Sequence, residues 1–295
     1  MRRRGAGLLS VAVLAAAGLP AQASGNRQVT ILYDAFGAPS ALVKDWGFAA
    51  LVEYGGKRVL FDTGNDAGIL EHNAKTLGID FASLDAVVIS HRHGDHTSGL
   101  DFVLRANPAV TIHVPHEPAY FGSVPPAGFL ERDPRLPPDL RYFEGRDPGR
   151  WRTGTPWIGA EFSIVTGSTE ILPGFHVLTT RSGKPGTLEM NELSLAVQTP
   201  QGLALVVGCS HPGVDTIVEA ASSIDRRIYT VLGGFHLVLA TPAEVGRVAG
   251  VLADEFKVGR VAPGHCTSEP GFSALRERFA ERFDRAGLGN VIKLP

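Results

Sequence analysis

Three histidines and an aspartate, His91, His93, Asp95 and His96, fall within six residues of the stretch "SHRHGDHTSGL", directly after the apolar run "LDAVVI". Imidazole nitrogen and carboxylate oxygen are ordinary ligands of Zn2+, and Fe or Mn also accepts them. Side chains alternate along an extended segment, so His91 and His93 project the same way and can converge on one ion. Asp95 and His96 come where the chain turns into a helix expected to begin near Thr97. They can therefore point apart from the first pair and serve a second ion. The pattern predicts a centre for one or two metal ions, with a surface histidine cluster as the alternative.

Such a centre needs rigid elements to carry it. Apolar, β-branched runs recur along the chain and stop at a glycine, histidine or aspartate: "QVTILYD", "GFAALVEY", "KRVLFDTG", "DAVVISHRH", "AVTIHVP", "GFHVLTT", "LSLAVQT", "LALVVGCSH", "RIYTVLGGFH" and "RVAPGHC". These read as strands with the chemistry at their carboxyl ends. Helices are expected in "NDAGILEHNAKTLG", "TSGLDFVLRAN", "VDTIVEAASSI", "PAEVGRVAGVLADEF" and "GFSALRERFAERFDRAG". A strand meander followed by alternation with helices predicts a mixed α/β class with two sheets. From about residue 118 to 173 prolines and glycines crowd the chain. Long loops of this kind are functional lids or linkers. Phe129, Tyr142, Phe143, Trp151 and Trp157 argue for a lid or pocket wall that packs on something, against a surface excursion with no ligand role.

The first 23 residues, "MRRRGAGLLSVAVLAAAGLPAQA", combine three arginines, an apolar stretch and a small-residue site, and read as an export signal cut after Ala23. The apolar part is shorter than the ~20 residues of a membrane span, and no later stretch reaches that length. The chain is therefore expected to be exported, to the periplasm of a bacterium, with residues 24–295 as one domain. A net charge of −2 and the lack of a Lys/Arg run after the signal give no electrostatic footprint for nucleic acid or anionic membrane. The expected partner is a small-molecule substrate. Two cysteines, Cys209 and Cys266, allow at most one bridge between them.

"SHRHGDH" resembles the signature of the metallo-β-lactamase superfamily. "LFDTG", "LVVGCSHPG", "LGGFHL" and "APGHCT" are similar to a narrower branch of it, which includes proteins named for a dihydropterin-ribofuranosylaminobenzene phosphate synthase activity. The similarity runs from about Gly47 to His265. It implies a four-layer αβ/βα sandwich, two packed mixed sheets flanked by helices, with one or two metal ions along an edge. It further implies that Asp62 supports the site from beneath, holding a ligand imidazole in one tautomer. His265 matches the last histidine of the family and would complete the site of Asp95 and His96.

The third histidine for His91 and His93 departs from the broad family pattern. His113, His116 and His176 read as core or surface residues, with His116 left as a possible pocket residue. His211, in "CSHPG" at the carboxyl end of "LALVVG", is the better candidate. Cys209 falls where the superfamily commonly has a bridging aspartate. It binds metal, is a small buried residue, or pairs with Cys266. His236 ends a strand after Gly233 and Gly234, which permit close backbone approach to a ligand. It reads as a substrate-facing hydrogen-bond donor or proton relay. Glu192 in "MNELSL" matches an acidic residue of the narrower branch, with a solvated strand-start glutamate as the alternative.

The expected chemistry is metal-assisted hydrolysis of an ester-like bond, whether lactone, phosphoester, thioester or amide, with Asp95 orienting the attacking water and accepting its proton. Two alternatives stand beside it. One is a dihydropterin-type transferase as the narrower branch implies; the other is a non-catalytic, metal-dependent binding or sensor protein.

Overall fold

The computed structural model describes residues 25–123, 128–147, 149 and 152–295. The export-signal reading at residues 1–23 and Trp151 lie outside the described residues. The chain opens with β1 (Gln28–Tyr33), β2 (Ala49–Tyr54) and β3 (Lys57–Phe61), an antiparallel meander. Gly55 and Gly56, both at positive φ, make the two-residue turn between the last two. Parallel crossovers follow: α1 (Ala67–Thr76), β4 (Ala86–Val88), α2 (Gly94–Thr97), α3 (Leu100–Ala106), β5 (Thr111–Pro115), α4 (Pro118–Phe121) and β6 (Glu161–Val165).

The second sheet starts with β7 (Thr169–Leu172), β8 (Phe175–Gly183), β9 (Glu189–Thr199) and β10 (Gly202–Val207), again antiparallel. It closes with parallel β11 (Ile228–Gly234) and β12 (Arg260–Gly264), after α5 (Val214–Ala221) and α6 (Pro242–Gly250) respectively. Helix α7 (Glu269–Phe279) then leads to β13 (Val291–Lys293), which returns to pair with β1. The sheet orders are β13-β1-β2-β3-β4-β5-β6 and β12-β11-β10-β9-β8-β7.

Three apolar cores explain the layering. Val29, Ile31, Val52 and Phe61 of the first sheet meet Val177, Leu195, Val197 and Val206 of the second in a common interior. Leu60, Val87 and Ile112 on the outer face of the first sheet pack on Leu70 and Val103 of α1 and α3. Leu205 and Val231 on the outer face of the second pack on Ile217, Val248 and Leu275 of α5, α6 and α7. The sandwich expected from the family resemblance is the observed one, a sheet on a sheet with helices outside both. Among the described residues no helix is long and apolar enough to cross a membrane.

Local expectations need correction at three places. The helix expected near Thr97 starts at Gly94, so Asp95 and His96 lie inside a short helical turn. The C-terminal helix ends at Phe279, because Ala280 takes a positive φ of 48°. Within 118–173, residues 161–165 and 169–172 are edge strands of the two sheets, so the irregular span is shorter than the composition implied. Phe129, Tyr142 and Phe143 are largely exposed. Trp157 does anchor the span, through an Nε1–H bond of 2.9 Å to Asp101 in α3.

Candidate metal centre

Strand ends from both sheets converge at one edge of the sandwich. The seam between them is closed by the backbone, where the amide of Leu193 in β9 donates to the carbonyl of Ser90 after β4 at 2.7 Å. Two groups of donor atoms form there: His91, His93 and His211, and Asp95, His96 and His265. The donor atoms of each group lie within 4.8 Å of one another. His91, His96, His211 and His265 are buried, and the rings of His91 and His211 are 4.7 Å apart. The sequence grouping of His91 with His93, and of Asp95 with His96, is the spatial grouping, and His211 and His265 each join the pair proposed for them.

Buried carboxylates hold these imidazoles. Asp62 Oδ2 lies 2.7 Å from His96 Nδ1 and accepts the Ser90 hydroxyl at 2.7 Å, while Oδ1 accepts the Ser90 amide at 2.6 Å. Ser90 Oγ is in turn 2.8 Å from His91 Nδ1. Glu192 accepts His211 Nδ1–H at 3.0 Å and the amides of Cys209, Ser210 and His211 at 3.1, 2.7 and 2.9 Å. The network assigns Nδ1–H to His91, His96 and His211 and turns each Nε2 toward the common space, the arrangement by which outer carboxylates fix metal-binding imidazoles. Asp62 sits at φ 57°, a left-handed conformation that aspartate tolerates better than most residues. Gly208 is required beside it, since a Cβ there would stand 2.2 Å from Ser90 Oγ.

Asp34, at the end of β1, accepts the backbone amide of His265 at 2.9 Å and that of Ala35 at 2.7 Å. Burial pushes its carboxyl up to about 8 against those bonds. His265 takes a positive φ of 44°, and both of its ring nitrogens are buried without a hydrogen-bond partner. Its Nε2 is 3.4 Å from Asp95 Oδ2, and His96 Nε2 is 3.7 Å from the same oxygen. Trp46, 48% exposed, lies over the His265 ring at 4.8 Å and forms the open wall of the site.

These spacings fit bound metal. Ligands of one tetrahedral zinc, with nitrogen or oxygen at about 2.0–2.2 Å, stand roughly 3.3–3.6 Å apart. His91 Nε2 and His93 Nδ1 are 3.2 Å apart. The orphaned His265 nitrogens are a second mark of fit, because buried polar atoms without partners are rare unless something occupies the site.

Electrostatics separate the two groups. Burial and the neighbouring imidazoles hold His91 well below its ordinary value. Burial also works against a charged His96, but the Asp62 and Asp95 carboxylates prevail and bring it up to about 9. Burial would raise Asp95, yet His265 and His96 keep it below the usual carboxylate range. His236 follows β11 at φ 47°, its ring 4.5 Å from that of His211, and burial with His211 and Lys184 nearby lowers it to about 4. It borders a cavity of about 460 Å³ lined also by Lys184, Ser210 and Arg247. Among the described residues, none of 118–173 lines that cavity.

Several sequence readings change. Glu192 is fully buried, so the solvated alternative fails. Gly233 and Gly234 permit close approach of their strand to Val207, Gly208 and Cys266. Cys209 and Cys266 are both buried free thiols. His113 lies mid-strand in β5, His116 is exposed outside the cluster, and His176 sits on β8 away from both groups. Asp34 and Ser90 were missed. The signal for Asp34 was "ILYD", an acid closing an apolar strand as Asp62 closes "VLFD".

The model of the metallo-beta-lactamase superfamily matches residues 47–176. A 7,8-dihydropterin-6-methyl-4-(beta-D-ribofuranosyl)-aminobenzene-5'-phosphate synthase of Methanocaldococcus jannaschii is 30% identical over 284 residues, 90% of this chain and 95% of the relative. The chain belongs to the metallo-β-lactamase superfamily. A Ribonuclease Z of Salinibacter ruber is 33% identical over 261 residues, 79% of this chain and 76% of the relative. The crystal structure of a metal-dependent hydrolase of the beta-lactamase superfamily superposes with a TM-score of 0.69 at 24% identity, covering 91% of this chain and 99% of that one. Members of this superfamily usually bind metal ions, and the present donor groups are arranged to do so.

Proposed function

We propose that the protein is a metal-dependent hydrolase that cleaves an ester-like bond, lactone, phosphoester, thioester or amide, in a small molecule, with zinc as its metal. The observation that carries this reading is the pair of three-residue donor groups at one sheet edge, each braced by a buried carboxylate and opening beside a neutral histidine. Ions held there supply Lewis acidity to the attacked oxygen and lower the pKa of water toward neutrality. Asp95, kept ionised with its side chain 19% exposed, takes the proton of the attacking water. His236, neutral at physiological pH, offers its N–H to the oxygen that gains charge, and Trp46 shields one side of the opening. Export, read from residues 1–23, is part of the proposal and places the reaction outside the cytoplasm.

The relative named as a synthase supports a second reading, a transferase that condenses a dihydropterin compound with a ribosylated aminobenzene phosphate. The relative named Ribonuclease Z keeps nucleic acid among the substrates to be tested, despite the net charge of −2. The binding-protein alternative loses the support that a Cys209–Cys266 bridge would have lent it. A screen of the metal-loaded protein against lactones, phosphodiesters, thioesters, amides, RNA and the synthase substrate pair separates these readings. Turnover of a small ester-like substrate that is lost in His211→Ala and kept in His176→Ala is the expected result. Synthase turnover alone, or no metal in the purified protein, would sink the hydrolase.

A further inference from the structure

We infer that the protein carries a second ligand site, away from the metal centre, for a small planar anion: an aromatic ring bearing a phosphate or a carboxylate. The site is a cavity of about 370 Å³ beside β12 and α7, lined chiefly by Phe36, Phe272, Phe283, Arg276 and Arg285. Its size falls within the roughly 300–1,000 Å³ of small-molecule pockets. Among the described residues, no member of either donor group borders it. Phe272 and Arg276 are four residues apart on α7 and so share a face. Ala280, at a positive φ of 48°, ends that helix, and the Asp284 amide then donates to the Val261 carbonyl of β12 at 2.8 Å. This return brings Phe283 and Arg285 to the same cavity. Phe36, from the loop after β1, supplies another wall, its ring 5.0 Å from that of Phe272 and inclined at 55°.

The charges around the cavity are unevenly answered. Arg278 is paired with Asp254, Arg282 with the Val258 carbonyl, and Arg260 with both oxygens of Asp284. Arg276 and Arg285 are the exceptions: among the described residues neither guanidinium has an ion-pair or hydrogen-bond partner, and no acid lines the cavity they border. A guanidinium is planar, weakly hydrated and presents paired N–H donors that match the oxygens of carboxylate and phosphate. Solvated surface arginines would account for the charge alone. They would not account for three half-buried phenyl rings around the same space. Tilted and offset ring pairs attract beyond the area they bury, so the rings suit a flat aromatic body and the arginines its anionic end.

Calorimetric titration of the full chain with phenylphosphonate and with benzoate tests this. Neither compound has a bond that the proposed hydrolase would cleave, and the tighter of the two names the anion. Binding is expected to weaken about tenfold or more in Arg276→Gln and in Arg285→Gln, since each loses hydrogen bonds between charged groups. Both side chains are exposed, so these substitutions leave the core intact. Binding should survive in His211→Ala. Benzamide, which keeps the ring without the charge, and inorganic phosphate, which keeps the charge without the ring, should each bind about tenfold more weakly or worse. Binding retained in both arginine variants would overturn the inference, and its loss in His211→Ala would place the anion at the metal centre instead. Inorganic phosphate held as tightly as phenylphosphonate, or no binding of either ring compound, would overturn it as well. None of these results bears on the hydrolase, which the turnover screen decides.

Discussion

Asp62, at the end of β3 in the first sheet, and Glu192, in β9 of the second, are both fully buried beneath an imidazole, yet different donors hold them. Asp62 is met by one imidazole and by the hydroxyl and amide of a single serine. Glu192 is met by one imidazole and three successive backbone amides. Burial pushes both carboxyls up. Around Asp62 it prevails over His96 and Ser90, whereas around Glu192 the His211 ring and the backbone amides prevail and keep the carboxyl below its usual range. The difference separates two tasks: Asp62 tunes a side chain, while Glu192 shapes the turn that carries His211 and Cys209.

The largest expected effect comes from Glu192→Ala. It strands three buried N–H groups at about 1–3 kcal/mol each, so a loss of about 3 kcal/mol or more is expected. At about 2–4 °C per kcal/mol for chains near this size, Tm should drop by roughly 10 °C in a thermal melt of the metal-free protein. Asp62→Asn should lower metal affinity by about 10- to 100-fold in a chelator competition and leave the melt nearly unchanged above about pH 9, where the His96 proton is already gone. Equal destabilisation by both substitutions would erase the distinction drawn between them.

The smallest effect concerns protons. His96 is raised from its ordinary 6.5 to about 9, so the metal-free fold binds a proton there that the unfolded chain releases. That contribution to stability is complete below about pH 6.5 and is lost as pH rises through about 9. An ion entering the Asp95, His96 and His265 group must displace the His96 proton, whereas His91 is already neutral. Calorimetric titration at pH 7.5 in buffers of different ionisation heat should therefore show about one proton released at the first-named group. No buffer dependence would contradict the charge assigned to His96.

What the sequence revealed follows from distance along the chain. His91, His93, Asp95 and His96 were legible because their geometry is set within six residues by local backbone. His211 was found because it follows an apolar strand, and strand ends share an edge in a sandwich, whereas His265 was found because "APGHCT" resembles the last histidine motif of the family. Glu192 and Asp34 were not legible as supports, since their partners are fixed by the pairing of β9 with β10 and by the return of the chain after β12. The edge strands at 161–165 and 169–172 were hidden because prolines and glycines upstream masked two short runs.

The bond from the His265 amide to Asp34 joins residues 231 positions apart. During synthesis, when the amino-terminal part of a chain can organise first, the His91–His93 pair and Asp95–His96 exist long before His265 has left the ribosome. A nascent chain can thus present only an incomplete cage. The complete set of ligands needs chain from both sheets, so metal capture becomes a check that both halves of the sandwich have closed.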